Sequence, residues 1–436
     1  MNLNTLRRFR HEIYDCCERA KDALFTTMDA LITQTQARSL PELSQDPRFQ
    51  RHWSSVYEAF EDGRIDRKRL QEVFVRYLPA PPQGRRLWIG IDASSIARPA
   101  ARTSADRTAQ PVHNLPKSKQ AITYGWQFST VVALPEQPSS WTYLLDQQRI
   151  ASSTTAIELA FTQLSELAPQ LPVHSIAALD RGYDSTWLWC RCSTLPVGVL
   201  GRLKCNRRFY RPAPPPTGKR GAPCKDGAIL QPKDEATHGE PDGKAECTDL
   251  KGRPVEISWW KHLHVKEARW LELSVMRVLR PHATNQERDP RISWFVWIGD
   301  PNADLADIAL GYARRFGQEH GYRFDKQALL WEKPRLRTPE QFERWSQVVA
   351  MAHNHVVVGR DLVQAHLHPW ENKQRPPTPQ QVRRGFSKLL VCLGTPARSP
   401  QARGKAKGRI KGATIRKAKR YAPVRKTPKV PQLVPS

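Results

Sequence analysis

The sequence lacks the features that mark several classes of protein. No apolar stretch approaches the roughly 20 residues that a membrane-spanning helix needs, and residues 1–30 contain no apolar core of a secretion signal. None of the eight cysteines lies in a CxxC pair, the spacing typical of a zinc ribbon. No glycine-rich phosphate loop is present, so nothing indicates dependence on ATP or NAD. These absences predict an intracellular, cytoplasmic protein with reduced thiols and no contact with a membrane.

Acidic residues are scarce relative to basic ones. The 436-residue chain has 42 Asp and Glu against 69 Lys and Arg, which gives a formal net charge of +27. The imbalance is steepest from Arg398 to the end, where 13 residues are basic and none is acidic. So basic a protein is expected to bind a polyanion, and nucleic acid is the expected one.

Two aspartates follow short apolar runs. Asp92 comes after Leu87–Ile91 and Asp180 comes after Ile176–Leu179, and each run is too short for a helix and suits a central strand. We therefore expect each carboxylate at or near the C-terminal end of its strand, the edge at which open α/β sheets build their sites. For either residue alone, a turn or helix-capping role is an equally good interpretation.

A third acid lies in a predicted helix that begins near Asn302 or Asp304, either of which can be its N-cap. The preceding segment Trp294–Ile298 has the composition of a buried strand. Spacings of three and four place five side chains on one stripe of the helix: Leu305, Ile308, Tyr312, Arg315 and Glu319. The stripe predicts that Glu319 points at the sheet, where its charge needs a cation. Asp92 and Asp180 are its expected partners in a metal site.

The same helix carries a specific spacing. The pattern Y-(2)-R-(3)-E-(6)-K is formed by Tyr312, Arg315, Glu319 and Lys326. Together with LDRGYDS around Asp180 and IDAS around Asp92, it resembles the DDE transposases of bacterial insertion sequences. The resemblance implies that Asp92, Asp180 and Glu319 are catalytic and bind two metal ions, and that Tyr312, Arg315 and Lys326 bind phosphates of the DNA end. Hard oxygen ligands favour Mg²⁺, with Mn²⁺ as a substitute.

The expected fold class is α/β, with an RNase H-like mixed sheet that is flanked by helices and interrupted by a β-rich insertion. We predict five segments: a helical DNA-binding region (1–80), the first part of the catalytic core (85–204), the β-rich insertion (205–290), the second part of the core (291–370) and a disordered basic tail (371–436). The N-terminal helices have an alternative interpretation, since a helical bundle can simply pack on the core.

Tryptophans of the insertion and the following strand are candidates for DNA contact. In similar transposases a tryptophan can stack on a base flipped out of the DNA end, and Trp294 and Trp297 are predicted DNA-binding residues on this ground, with Trp259 and Trp260 as further candidates. Against this, tryptophans in strands usually belong to the core.

The function that the resemblance implies is cut-and-paste transposition, in which DNA is cleaved at the element ends and transferred into target DNA. It also implies a homodimer in the DNA complex and association with a bacterial nucleoid. Two alternatives stay open: an RNase H-like nuclease without strand transfer, and a non-catalytic basic DNA-binding protein derived from a transposase.

Overall fold

The computed structural model describes residues 2–111, 122–137, 139–216, 222–284 and 290–401, together with 410, 412, 414 and 417–426. The helices are α1 (Leu3–Cys16), α2 (Lys21–Thr33), α3 (Leu40–Leu43), α4 (Ser54–Asp62), α5 (Arg67–Arg76), α6 (Ala156–Leu167), α7 (Thr186–Cys192), α8 (Leu305–Gly311), α9 (Phe316–Arg323), α10 (Pro339–Val358) and α11 (Pro379–Leu393). The strands are β1 (Cys17–Arg19), β2 (Arg64–Ile65), β3 (Trp88–Ala97), β4 (Thr108–Pro111), β5 (Ile122–Ala133), β6 (Tyr143–Ile150), β7 (Ile176–Leu179), β8 (Gly198–Arg202), β9 (Phe209–Tyr210), β10 (Ile229–Leu230), β11 (Gly243–Thr248), β12 (Pro254–Val265), β13 (Ala268–Leu279) and β14 (Ile292–Ile298). Within these described ranges, no helix combines the length and the apolar character needed to cross a membrane.

The centre of the fold is a mixed sheet in which β3 lies between β5 and β7. β3 runs parallel to β7 and β7 runs parallel to β8, whereas β5 is antiparallel to β3 and to β6. α6 begins at a capping box formed by Thr155 and Glu158, and it packs on β5 and β6. A mixed sheet flanked by helices confirms the predicted fold class.

The predicted β-rich segment 205–290 does contain strands, and these extend the central sheet rather than form a separate one. β12 and β13 form a long antiparallel hairpin, β13 pairs with β14, and β14 pairs with β8. β9 and β11 both pair with β12. Because β14 leads into α8, the sheet connects the hairpin directly to the helical segment that carries Glu319.

The helical character of residues 1–80 is confirmed, and α4 ends at Asp62, four residues before Asp66, the N-cap of α5. α2 is buried along most of its length and packs against α10 and α11. Arg10 of α1 and Asp29 of α2 form a buried ion pair at 2.8 Å. The N-terminal and C-terminal helices therefore pack as one body, and a role of this body in DNA binding stays a prediction.

The expectation of disorder throughout residues 371–436 is wrong for α11. Thr378 and Gln381 form a capping box at its start, and it buries an apolar stripe that includes Val382, Phe386 and Leu390. This stripe supplies the apolar contact that offsets the entropy of ordering the segment. Farther along, the Val424 N–H donates to the Arg107 carbonyl at 2.6 Å, beside a bridge between Val424 and Thr108 of β4. Residues 402–409 and 427–436 lie outside the described residues.

Candidate active site

The two aspartates lie side by side at the edge where β7 ends. Ile91 and Leu179 are the last pair of the parallel β3–β7 ladder, so Asp92 and Asp180 are the next residues of the two strands. Asp180 follows its strand as predicted, and its Oδ1 accepts a hydrogen bond from the Gly182 N–H at 2.7 Å. The prediction that Asp92 also ends a strand is wrong, because β3 continues to Ala97 by pairing with β5.

The helical segment that faces these aspartates departs from α-helical pitch at two places. α8 begins at Asp304, which is the N-cap as predicted, and is followed by a 3₁₀ turn at Tyr312–Arg315. α9 then leads into a π-helical turn at Phe324–Ala328. At Gly311 a Cβ atom would overlap the ring of Trp88 on β3, so glycine allows the close approach of this segment to the sheet.

Arg315 lies between the two aspartates. Its Nη2 is 3.2 Å from Asp92 Oδ1 and 3.8 Å from Asp180 Oδ2, and the residue is only 9 % exposed. Nε and Nη2 have no hydrogen-bond partner of good geometry within the described structure. The contact is therefore an ion pair shared by two carboxylates rather than the bidentate fork that arginine forms with a single one.

Three more side chains of this segment contact the strands of the site. Tyr322 donates its hydroxyl proton to the Asp92 carbonyl at 2.9 Å, and Lys326 Nζ donates to the Ser95 carbonyl at 3.1 Å. Gln318 donates to the Thr130 carbonyl at 3.1 Å. The spacing pattern predicts Lys326 at this site, whereas Gln318 and Tyr322 were not predicted. Their spacing of three and seven residues from Arg315 is the signal that identifies them.

Glu319 departs from its predicted orientation. The residue is exposed, while its neighbour Gln318 is buried against the sheet. The 3₁₀ turn that precedes α9 has three residues per turn rather than 3.6, which shifts the face that later residues present. Within the described residues, no three His, Cys, Asp or Glu side chains are grouped closely enough to hold a metal ion. In this conformation Asp92 and Asp180 share the guanidinium group of Arg315.

The electrostatics of the site reflect its burial. Burial raises the pKa of Asp92 above its usual value, Arg315 opposes this rise, and Asp180 adds to it. Burial alone lowers the pKa of Arg315, but Tyr312, Asp92 and Asp180 reverse the effect and raise it overall. Burial lowers the pKa of Lys326, while Glu332 and Asp92 oppose the shift. Asp92 and Arg315 thus oppose the effect of burial on each other's pKa, and Asp92 also opposes the effect of burial on the pKa of Lys326.

The aromatic candidates lie in different environments. Tyr312 packs against Phe295 with ring centroids 4.7 Å apart, and burial raises its pKa while nearby Arg315 opposes the rise. The predicted stacking residues are core residues here: Trp294 is 6 % exposed and stacks on Trp260, and Trp297 is 4 % exposed with its indole N–H bonded to the Asp300 carbonyl. Neither ring is available to a DNA base in this conformation.

A basic pocket of about 500 Å³ begins just after β8, at the edge of the sheet where Asp180 lies, and sequence reasoning did not find it. Lys204, Arg207, Arg208, Tyr210 and Lys266 line it, with Glu267 as its acid. Arg207 is fixed by Asp184, which accepts from its Nε at 2.6 Å and from the Lys204 N–H at 2.8 Å. Within the described structure, Lys204, Arg208 and Lys266 form no ion pair, so their charges are available to an anion.

Paired aspartates on adjacent parallel strands of an RNase H-like sheet, beside a basic surface, define a class of phosphodiester-cleaving enzymes. The family model of the DDE superfamily endonucleases matches residues 12–264, more than half of the chain, so the chain belongs to this family. Membership confirms the predicted relationship to DDE enzymes, and it confirms that the protein belongs to a class of nucleases or transposases. The match includes Asp92 and Asp180 and ends before Arg315, Glu319 and Lys326.

Among solved structures, the chain is similar to the piggyBac transposase in a synaptic complex with hairpin DNA, determined by cryo-EM. The two are 11 % identical with a TM-score of 0.41, over 86 % of this chain and 73 % of the other. No curated protein matches the chain significantly in sequence. Enzymes of the DDE family generally use divalent metal ions.

Proposed function

We propose that the protein is a DNA transposase that cleaves the ends of an insertion sequence and transfers them into target DNA by a cut-and-paste reaction. The observation that carries this proposal is the pair Asp92 and Asp180, held side by side by the arginine of the Y-(2)-R-(3)-E-(6)-K segment. The two acids that lie within the endonuclease family match are therefore in contact with the segment that carries the transposase spacing pattern.

Asp92, Asp180 and Glu319 are the residues proposed to hold two divalent ions, Mg²⁺ by preference and Mn²⁺ as a substitute. Asp92 and Asp180 fit this role, since both carboxylates already face a single cation, whereas Glu319 has to approach them from its exposed position. When bound, such ions activate water and stabilise the departing oxyanion of a phosphodiester. Oxygen ligands with room for water are the donor set that these ions prefer.

The other residues of the segment are proposed to position DNA. Arg315 offers a planar fork and Lys326 a point charge to phosphate oxygens, and the hydroxyl of Tyr312 lies within electrostatic range of both aspartates. Lys204, Arg208 and Lys266 of the basic pocket are proposed to bind further phosphates of the same DNA. Double-stranded DNA is therefore the proposed partner, at the element ends and at the target.

Cellular context follows from the same proposal. Two element ends have to be processed together, so a homodimer in the DNA complex provides one active site for each end. A net charge of +27 favours association with nucleic acid, which fits a cytoplasmic protein associated with the bacterial nucleoid.

A strand-joining assay tests the proposal. With a pre-cut end that carries a free 3′-OH, the wild-type protein should join the end to target DNA in Mg²⁺, and Asp180→Asn should not, because an amide cannot neutralise a bound cation. A protein that cleaves but never joins is a nuclease without strand transfer. Metal-dependent nicking that persists in Asp180→Asn would place the chemistry elsewhere.

A further inference from the structure

We infer that Arg315 is the counter-ion of Asp92 and Asp180 in the DNA-free protein, and that DNA releases it, so that the pair binds a divalent metal ion tightly only after DNA has bound. This inference rests on the proposed function, because it concerns the same two aspartates and assigns their regulation.

The first argument is geometric. A single nitrogen, Arg315 Nη2, lies within 4 Å of one oxygen of each carboxylate. A divalent ion shared by both carboxylates needs oxygen ligands at roughly 2.0–2.1 Å, in the space between the same two oxygens. Because the Arg315 side chain is 11 % exposed, it is enclosed by protein, and a metal ion and this guanidinium compete for one position.

The second argument is the balance of charge. Asp92 and Asp180 contribute two negative charges and Arg315, between them, contributes one positive charge. A divalent ion added to these three side chains leaves an excess of positive charge in a partly buried site, where charges are poorly screened. Binding is therefore weakened until a cation leaves or an anion arrives.

DNA supplies the anion. A phosphodiester offers the guanidinium a bidentate partner of matching geometry, which the directionally unsatisfied Nε and Nη2 of Arg315 lack among the described residues. The basic pocket begins just after β8, at the same edge of the sheet as Asp180, and offers a positively charged surface to the DNA backbone. Withdrawal of Arg315 onto a phosphate then leaves two adjacent carboxylates without their counter-ion. The consequence is a safeguard: the free enzyme does not assemble its metal centre before its substrate is in place.

Mn²⁺ binding to the full-length, DNA-free protein, measured by electron paramagnetic resonance, tests the inference without a cleavage readout. Arg315→Gln should bind Mn²⁺ at least about tenfold more tightly than wild type, within the typical range of energetic coupling between sites. Arg315→Lys keeps the charge and should stay close to wild type. The matched control is Arg314→Gln, a neighbouring buried arginine whose ion pair is with Glu136 at 2.6 Å, and it should change the affinity less than about twofold.

The release step has its own measurement. A short DNA duplex, corrected for the Mn²⁺ that the duplex binds alone, should tighten Mn²⁺ binding by wild type and leave Arg315→Gln nearly unchanged. If Arg315→Gln folds poorly, its melting temperature should rise with added Mn²⁺ more than that of wild type, because metal binding stabilises the native state. Equal Mn²⁺ affinities of wild type and Arg315→Gln, or no effect of DNA on wild type, would overturn the inference. If the wild-type protein binds Mn²⁺ as expected but does not join strands, the result contradicts only the proposed function.

Discussion

Gln318 and Glu319 are adjacent in α9, yet only Gln318 faces the sheet. Gln318 is 1 % exposed and donates to the Thr130 carbonyl at 3.1 Å, whereas Glu319 is exposed. A space above Gly90 accommodates the Gln318 amide, since a Cβ there would lie 2.6 Å from Gln318 Oε1. The two residues therefore allow structural and catalytic roles on this helix to be separated by neighbouring substitutions.

Glu319→Gln should retain the fold and DNA binding but abolish nicking and joining, because the amide cannot balance the charge of a bound metal ion. Gln318→Ala should do the opposite: it removes a buried hydrogen bond and side-chain volume, which costs about 1–3 kcal/mol of unfolding free energy, while slow cleavage stays detectable. Urea denaturation and cleavage of one labelled DNA end measure both variants. A Glu319→Gln protein that still nicks would remove this residue from the active site.

The sequence predicts the site where its local signals agree with the tertiary structure. Asp180 directly follows a four-residue strand, as the short apolar run Ile176–Leu179 predicts. The same reasoning predicts that Asp92 lies at a strand end, but β5 also pairs with the polar residues Ser94 and Ser95. Backbone pairing of polar residues leaves no apolar pattern in the sequence. Strand length was therefore set by a partner distant in sequence.

Local sequence patterns do not predict the orientation of Glu319 or the existence of α11, for two other reasons. A uniform spacing of 3.6 residues assumes one continuous helix, whereas Tyr312–Arg315 is a 3₁₀ turn and alters the phase of the stripe. α11 lies between a proline-rich stretch and a Lys/Arg-rich stretch. The average composition of the tail therefore does not reveal the apolar residues of α11. Its burial depends on α2, far away in the sequence, where Arg383 donates to the Leu31 carbonyl at 2.6 Å.

The basic pocket should contribute to DNA affinity in a salt-dependent way. Lys204→Ala combined with Arg208→Ala removes two exposed cations, so the slope of log affinity against log salt should become shallower by about 2, given nearly one released counter-ion per phosphate contact. Fluorescence anisotropy with a labelled duplex at several salt concentrations measures this slope. The control is Lys373→Ala with Arg375→Ala, an equal change of charge at two exposed residues before α11. Equal slopes for both double variants would exclude the pocket as a DNA contact.

Deletion of residues 398–436 should lower non-specific DNA affinity and flatten its salt dependence, because it removes 13 basic residues and no acid. Metal-dependent cleavage of a saturating substrate should remain, since no predicted catalytic residue lies in this segment. The deletion also removes the contact of Val424 with Arg107, so thermal unfolding should be measured in parallel. A deletion variant with an unchanged salt slope would show that the tail does not bind DNA.

His355, on the buried face of α10, should make stability depend on pH below neutrality. It is fully buried, its Nδ1 lies 2.7 Å from the Met351 carbonyl, and its ring packs on Phe9. Burial, with a smaller effect from Arg10, lowers the pKa of His355 from 6.5 to about 3. The folded protein thus keeps this imidazole neutral where the unfolded chain takes up a proton. Its contribution is complete above pH 6.5 and is lost progressively as the pH falls toward 3.

His353, two residues earlier, contributes in a different pH window. Burial alone lowers the pKa of His353, but Asp325, at 2.6 Å from Nδ1, raises it overall, so its contribution is lost as the pH rises above 6.5. Replacing His355 with Phe keeps an aromatic ring and removes the part of the unfolding free energy that depends on protonation of His355. Relative to this variant, the wild-type free energy of unfolding should fall by about 1.4 kcal/mol for each pH unit below 6.5. Urea denaturation between pH 5 and 8 measures the difference, and parallel curves would show that His355 is protonated in the folded protein.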